Sequence, residues 1–572
     1  MNKTLQDVRI CDMETDRLIT YIRQSVIGRN DIIEGPYGRR PIIYADYTAS
    51  GRALSFIEDY ISRVVLPLYA NTHTESSGTG LQTTRMREEA RQIIAECVGA
   101  TDEHVVLFCG SGATYAIAKL VGVLGLRIPS AIDDRYGLSA AIDPEDRPVV
   151  FIGPYEHHSN ELPWRESIAD VVIIDEDSDG HVSMDHLEQQ LAKYADRPKL
   201  IGSFSAASNV TGIITDTVAV STLLHEHGAL SLWDYAAAAP YVPIEMGSAT
   251  DHNSAYLDAV FISPHKMIGG PGTPGVLVAR RDLFTNRVPD IPGGGTVRYV
   301  STTEHDYLTS IEHREEAGTP AIVESIRAGL VFQLKEAVGA EAISKHEHEF
   351  IKRAITSWER NPNINVLGNH VADRLSIVSF VIRYDDQYLH HNFVVSLLND
   401  VFGIQSRGGC SCAGPYGHRL LGIDLDQSHE FQREINRGCE GIKPGWVRVN
   451  FNYFIDEPTF DYIVEAVHLI ATNGALLLPS YRFEPDSGLW HHKRGDSGPA
   501  MSLREVSYAA GEMTFDNRRQ TADINLKEHL DNARALFSDA RQHPADAFVH
   551  PETNADFEHL RWFPYPDDIP TL

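Results

Sequence analysis

The chain has 572 residues, 42% of them hydrophobic and 23% charged, a balance that suits a soluble protein with more than one core. Its 79 acidic and 50 basic residues give a formal charge of −29. Such a surface repels phosphate backbones and anionic membranes, so neither nucleic acid nor a membrane is an expected partner.

At the N-terminus, "MNKTLQDVRICDMETDRLITYI" lacks the apolar stretch of a signal peptide, and no run of 18 apolar residues predicts a membrane helix. The six cysteines are scattered too widely for a disulfide framework, and a reducing cytoplasm is the expected location. Residues 1–40 are read as a segment that joins a small domain. From 41 to 320 the apolar runs "HVVLFCG", "RPVVFIG", "ADVVIID", "KLIGSFS", "ALSLWDY", "AVFIS" and "GVLVAR" predict seven buried strands. Helix-length stretches such as "ATYAIAKLVGVLGL" and "DTVAVSTLLHEHG" alternate with them. The alternation predicts an α/β fold: a mostly parallel, seven-stranded sheet covered by helices. Residues 321–478 read as a smaller α+β domain with strands at "RLSIVSFVIRY" and "WVRVNFNYF". Residues 479–572 read as a C-terminal extension lying partly on the surface, with one helix near Leu526–Phe537.

Ligands of open α/β sheets bind beyond the carboxyl ends of the strands, so the residues just after each strand are informative. After "VVLF" comes "CGSGAT" and a helix. Gly112, Ala113 and Thr114 therefore offer free N–H groups to an anion, although small residues also start helices merely as caps. After "VVFIG" comes His157 with His158, which suits a stacking platform or a pair of solvated side chains. No zinc-type spacing accompanies them, so no metal site is predicted. Asp234 ends an apolar strand, where an ionised carboxylate needs a cationic partner. Lys266 comes after another strand, in the Gly/Pro-rich "PHKMIGGPGTPG". A lysine, a buried acid, an anion cradle and a flat ring at one sheet edge together match the needs of pyridoxal phosphate. Farther on, "RGGCSCAG" puts Cys410 and Cys412 in a glycine-rich loop, where a thiol stays reachable.

Over about residues 41–470 these motifs resemble, in order, those of the class V, fold type I pyridoxal-phosphate enzymes, most of all cysteine desulfurases and selenocysteine lyases. The carriers are "YADYTAS", "SGATYAI", "EHHSNELPW", "SNVTG", "SPHK", "PGGGTV", "EAGTP", "RGGCSCA" and "WVRVNFNY". The resemblance implies that Lys266 forms the Schiff base and that Asp234 meets the pyridine nitrogen. It likewise implies that His157 stacks on the ring, that Asn209 lies near the phenolic oxygen, and that Ser263 and His265 touch the phosphate. Thr296 would reach the neighbouring subunit's phosphate, which implies a homodimer. Arg448 would grip the substrate carboxylate, with Arg407 a second active-site arginine, and Cys412 would be the nucleophile.

The activity so implied is transfer of sulfur from L-cysteine onto Cys412 as a persulfide, with L-alanine released and an acceptor protein for the sulfur. Arg407 or a nearby protonated histidine, His418 for example, would favour the thiolate, and Cys410 is either a relay or a bystander. Two departures stand out. Ala237 occupies the position of a family glutamine, and the stretch between Cys412 and Arg448 is longer than in simple desulfurases. Two alternatives stay open at this level: another class V reaction (aminotransferase, epimerase or carbon–sulfur lyase) that does not use Cys412, and a non-catalytic scaffold.

Overall fold

In a computed structural model the chain forms two compact units; the structure describes residues 12–72, 74–248, 254–495, 501–543 and 550–568. Unit 1 comprises residues 1–27, 47–348 and 371–375, and unit 2 comprises 28–46, 349–370 and 376–572. The expected first segment is thus divided at Gly28, and the expected boundary at 320 falls inside unit 1.

Unit 1 is built on a mixed sheet of seven strands: β1 (His104–Cys109), β2 (Val149–Ile152), β3 (Asp170–Ile173), β4 (Leu200–Ser205), β5 (Leu230–Asp234), β6 (Ala259–Ile262) and β7 (Gly275–Arg280). These are the seven apolar runs read from the sequence. Their spatial order is β1-β7-β6-β5-β4-β2-β3, with β7 antiparallel to both neighbours and the pairings among β2 to β6 parallel. Every residue of β1, β2, β4 and β6 is buried. Both faces of the sheet must therefore be covered, which is why the strands lack polar alternation. Each fully buried Val, Ile, Leu or Phe contributes roughly 1.5–3 kcal/mol of transfer free energy.

The principal helices of unit 1 are α1 (Gly78–Cys97), α2 (Gly112–Val123), α3 (His158–Arg165), α4 (Thr217–Glu226) and α5 (Ile322–Val338). Side-chain caps start most of them. Ser77 Oγ accepts from Gly80 N–H on α1 and Asp216 Oδ1 from Ala219 N–H on α4.

Unit 2 holds an antiparallel sheet with the order β8-β9-β11-β10, where β8 is Ile364–Val366, β9 Ile377–Tyr384, β10 Arg407–Gly409 and β11 Trp446–Asn450. Around it stand α6 (His391–Phe402), α7 (Gly414–Leu421), α8 (Leu425–Asn436), α9 (Glu457–Asn473) and α10 (Leu526–Gln542). The stretch Glu457–Ser480 is long and apolar enough by composition to cross a membrane. Phe460, Ile463, Val467 and Ile470 on it are buried in the unit 2 core, so here it serves as a core helix.

The C-terminal extension lies on the surface over 508–523, where every residue is exposed, but elsewhere it enters the core. Its hairpin, β12 (Tyr481–Glu484) with β13 (Leu489–His492), inserts Tyr481, Phe483 and Trp490 into the unit 2 core, together with Phe537, Phe557, Phe563 and Tyr565. Aromatic side chains of that size dominate the burial of a core. The long stretch after Cys412 folds as α7 and α8. It docks through Glu434, which accepts from Asn554 Nδ2 at 2.8 Å and pairs with Arg437, itself bonded to Asp556 at 2.8 Å.

Candidate active site

The carboxyl ends of β1, β2, β4, β5 and β6 share one edge of the unit 1 sheet, and the candidate residues lie just beyond them. After β1, Gly112 takes φ +62°, a left-handed conformation natural to glycine, and α2 begins there. A β-carbon on Gly112 would lie 2.8 Å from both the His265 ring and Ser263 Oγ, so only glycine lets the three come together. Ser263 Oγ accepts from Ala113 N–H at 2.9 Å, and Thr114 Oγ1 shares a hydrogen bond of 2.7 Å with Ser159 on α3. Three neutral donors thus gather at the positive end of a helix dipole, the composition of an anion cradle. Burial, then the nearby Lys266 charge, lowers the His265 pKa to about 4, so His265 is neutral near pH 7.

Beyond β2, His157 caps α3: its Nδ1 accepts from Ser159 N–H at 3.1 Å, which fixes the ring. The preceding Glu156 is buried among four donors. They are Gly153 N–H, Ser205 N–H, Ser205 Oγ at 2.6 Å and Asn160 Nδ2 at 2.7 Å. Ser205 is the register partner of Asp234, so Glu156 ties the His157 turn to the strand beside Asp234. Burial outweighs these donors and pushes its pKa up to about 7.

Asp234 itself ends β5, 4% exposed, with Oδ1 accepting from Ala236 N–H at 2.8 Å. Burial raises its pKa; the Ala236 N–H and the positive charge of Lys266 act the other way. Lys266 lies after β6 in a tight turn, where its N–H bonds Ser263 O at 3.0 Å. The turn is braced by the "YTASG" segment: Gly51 N–H bonds His265 O at 2.8 Å, so near that a β-carbon on Gly51 would strike Met267 O. Asn209 is buried in the loop after β4, and Ala237 is buried with only a methyl to offer. Thr296 is fully buried and donates to Gly293 O at 2.7 Å. A cavity of about 720 Å³ opens beside the cradle, with Gly110, Ser111, His265, Thr273 and Glu316 in its wall.

These residues fit pyridoxal phosphate: a neutral cradle for a phosphate, a fixed ring, a buried acid that calls for a cationic partner, and an amine in the turn after the adjoining strand.

Unit 2 carries the remaining candidates. Arg407 on β10 stands directly opposite Arg448 on β11. Like charges so placed repel unless an anion lies between or beside them. Arg448 is 2% exposed and donates to Asp46 Oδ1 at 2.7 Å. Asp46 belongs to "YADYTAS", yet sequence reasoning gave it no role; an acid flanked by buried apolar residues was the available signal. Cys410 and Cys412 lie in a tight turn after β10, closed by Ala413 N–H to Cys410 O at 3.1 Å. Ser411 and Cys412 have φ +50° and +57°, a left-handed pair that side chains other than glycine seldom adopt. Both thiols are half-buried. Burial lowers the His418 pKa, which disfavours the protonated histidine expected near the thiol.

The chain is similar to known proteins in sequence and in fold. A probable cysteine desulfurase of Streptomyces coelicolor is 26% identical over 379 residues, spanning 65% of this chain and 84% of the relative. A cysteine desulfurase of Dickeya dadantii is 27% identical over 420 residues, spanning 72% and 93%. The solved apo structure of a cysteine desulfurase from Thermococcus onnurineus NA1 superposes with a TM-score of 0.60 at 23% identity, covering 75% of this chain and 95% of that one. The Escherichia coli cysteine desulfurase CsdA gives 0.56 at 21%, covering 74% and 93%. At such identities the two structures speak for the fold. The family model described as aminotransferase class-V matches residues 43–425, two thirds of the sequence. The chain belongs to the class-V aminotransferase family, whose members are pyridoxal-phosphate-dependent enzymes.

Proposed function

We propose that the chain is a pyridoxal-phosphate-dependent cysteine desulfurase that moves the sulfur of L-cysteine onto Cys412 and releases L-alanine. The observation that carries this reading is Cys412 itself, a half-buried thiol held at φ +57° in the turn after Arg407, where "RGGCSCA" resembles the desulfurase nucleophile motif. Curated relatives that bear the desulfurase name, matched over 84% and 93% of their own length, support it.

When bound, pyridoxal phosphate supplies an electron sink for negative charge at the substrate Cα. The cradle of Gly112, Ala113, Thr114, Ser263 and His265 would hold its phosphate. His157 would lie on its ring, Asn209 near its phenolic oxygen, Asp234 at its nitrogen and Lys266 at its aldehyde. In the reaction the Lys266 amine takes the Cα proton and later returns a proton to carbon, acting first as base and then as acid. Arg448, oriented by Asp46, and Arg407 bind the substrate carboxylate. The Cys412 thiolate attacks the substrate Sγ. A sulfur–sulfur bond forms as the Cβ–Sγ bond breaks, its electron pair stays with carbon, and protonation there yields alanine.

Because Cys412 must cycle through a free thiol, a reducing cytoplasm suits the reaction. A homodimer and an acceptor protein for the persulfide sulfur belong to the same proposal. Ala237 favours a second reading, a class V reaction that uses Lys266 and Asp234 without Cys412, because its methyl cannot donate to the cofactor's phenolic oxygen.

One experiment separates the two. Wild type and Cys412→Ser are incubated with L-cysteine, and alanine, pyruvate and protein persulfide are assayed together. Alanine in step with persulfide on the Cys412 peptide, and loss of both in Cys412→Ser at unchanged cofactor absorbance, supports the desulfurase. Undiminished product from Cys412→Ser transfers the assignment to the second reading.

A further inference from the structure

The end of β10, which leads into the cysteine turn, offers no side chain of its own to the elements around it. Gly408 and Gly409 precede Cys410, and Gly445 lies against Gly409 from the start of β11. A β-carbon on Gly445 would come within 2.9 Å of Gly409 and of His391 Cε1. One on Gly408 would lie 2.6 Å from Asn392 Oδ1 and 3.2 Å from His391 Cδ2. The first residues of α6, His391 and Asn392, are therefore the surface on which the glycine pair rests.

That surface is fixed in turn by the C-terminal extension. The His391 ring stacks on His390 at 4.3 Å and on Trp562 at 5.8 Å and 11°. Trp562 also stacks on His390 at 5.2 Å and 16°, and its Nε1–H donates to Ile442 O at 3.0 Å, just before β11. His390 accepts from Asn392 N–H through Nδ1 and contacts Gly441 O through Nε2 at 3.1 Å, which selects the neutral Nε2–H tautomer. The β12–β13 hairpin adds two ties. Asn392 Nδ2 donates to Gly488 O at 2.8 Å, and Gly441 N–H donates to Pro485 O at 2.7 Å. The extension thus meets the cysteine strand through two touching layers, Trp562 on His391 and His391 on Gly408 and Gly445. All of this lies beyond residue 425, where the family match ends, or leans on residues beyond it.

We propose that the C-terminal extension is a working part of the desulfurase, with Trp562 a positioning residue that sets the Cys412 turn through His391. The proposal rests on the desulfurase reading for its consequence in turnover, but not for its effect on the thiol.

The test uses the full chain loaded with cofactor and compares wild type, Trp562→Leu, which keeps apolar volume without a ring face, and Trp562→Phe, which restores one. Three quantities are read: cofactor absorbance, iodoacetamide labelling of the Cys412 and Cys410 peptides at 25 °C, and kcat and KM for L-cysteine. Trp562→Leu is expected to keep the cofactor band, change Cys412 labelling at least threefold, and lower kcat about tenfold with KM within twofold. Trp562→Phe is expected to recover most of the loss. Asn392→Ala, which cuts the Gly488 tie and spares the aromatic core, is expected to shift Cys412 labelling in the same direction if Trp562→Leu proves insoluble. Wild-type labelling and kcat in Trp562→Leu would overturn the proposal. So would equal losses in Trp562→Leu and Trp562→Phe together with loss of cofactor, which mark a general structural defect. Should Cys412→Ser keep full turnover, the desulfurase reading fails while the labelling comparison still decides the positioning role.

Discussion

Glu316→Gln removes one negative charge from the wall of the candidate cofactor site, and its cost can be worked out from the structure. Glu316 Oε1 accepts from Phe108 N–H at 2.7 Å and from Arg91 at 2.9 Å; Oε2 accepts from Arg91 at 3.1 Å and from Arg87. The side chains of Glu316, Arg87 and Arg91 are 7%, 7% and 10% exposed. Burial alone would raise the Glu316 pKa, but the charges and hydrogen bonds of Arg91 and Arg87 overcome it and hold the group down to about 2, from an ordinary 4.5. At about 1.4 kcal/mol per unit the shift corresponds to roughly 3 kcal/mol of stability. Removing one member of a buried ion pair costs about 3–5 kcal/mol on independent grounds. Glu88 still pairs with Arg91 at 3.0 Å and Arg87 at 3.4 Å, which favours the lower figure.

Phe108 lies in β1, so hydrogen exchange of the β1 peptide in wild type and Glu316→Gln reads the effect directly. A loss of roughly 3 kcal/mol predicts about 100-fold faster exchange at pH 7 when exchange proceeds through full opening of the unit. Because the folded pKa is depressed, the stabilisation is complete above 4.5 and is lost as pH falls through 2. The gap between the two proteins must therefore narrow in acid. Less than a threefold difference at pH 7, or a gap that widens as pH falls, would refute the reasoning.

Lys266→Ala is expected to abolish turnover and the visible absorption of bound cofactor, measured by spectrophotometry after addition of pyridoxal phosphate. Asp234→Ala is expected to bind the cofactor more weakly and to lose activity by orders of magnitude, because an unprotonated pyridine is a poor electron sink; near-normal rates would reassign that acid. Glu156, raised from 4.5 to about 7, contributes stability that is complete below 4.5 and lost as pH rises through 7. Between pH 5 and 8 the denaturant midpoint of wild type should fall relative to that of Glu156→Gln, by up to roughly 3 kcal/mol in free energy; parallel profiles would sink the assignment.

The large sheet was legible because strands buried on both faces become unbroken apolar runs, and the site was legible because parallel strands bring their carboxyl ends to one edge. Asp234 and Lys266 therefore emerged from local sequence. The Glu316 cluster did not, since it joins side chains 225 and 229 residues apart. The buried part of the extension is illegible in the sequence for a related reason. Tyr481, Phe483, Trp490, Phe557, Phe563 and Tyr565 have no helical or strand period long enough to mark them as core. Distant partners such as His390 and Phe393 bury them instead.

Unit 2 takes its residues from both sides of unit 1 in the chain, from Ile43 and Ala45 early on to Tyr565 near the other end. During synthesis at about 5–20 residues per second, the early strand waits roughly half a minute to two minutes for the aromatic residues that complete its core. For roughly the last ten to thirty seconds of that interval α6, and for a shorter time α9, present Phe393, Leu397, Phe460 and Ile463 without their final cover. The nascent chain therefore ends its synthesis with unit 2 still incomplete, and premature termination before Trp490 leaves an apolar surface for chaperones and proteases to find.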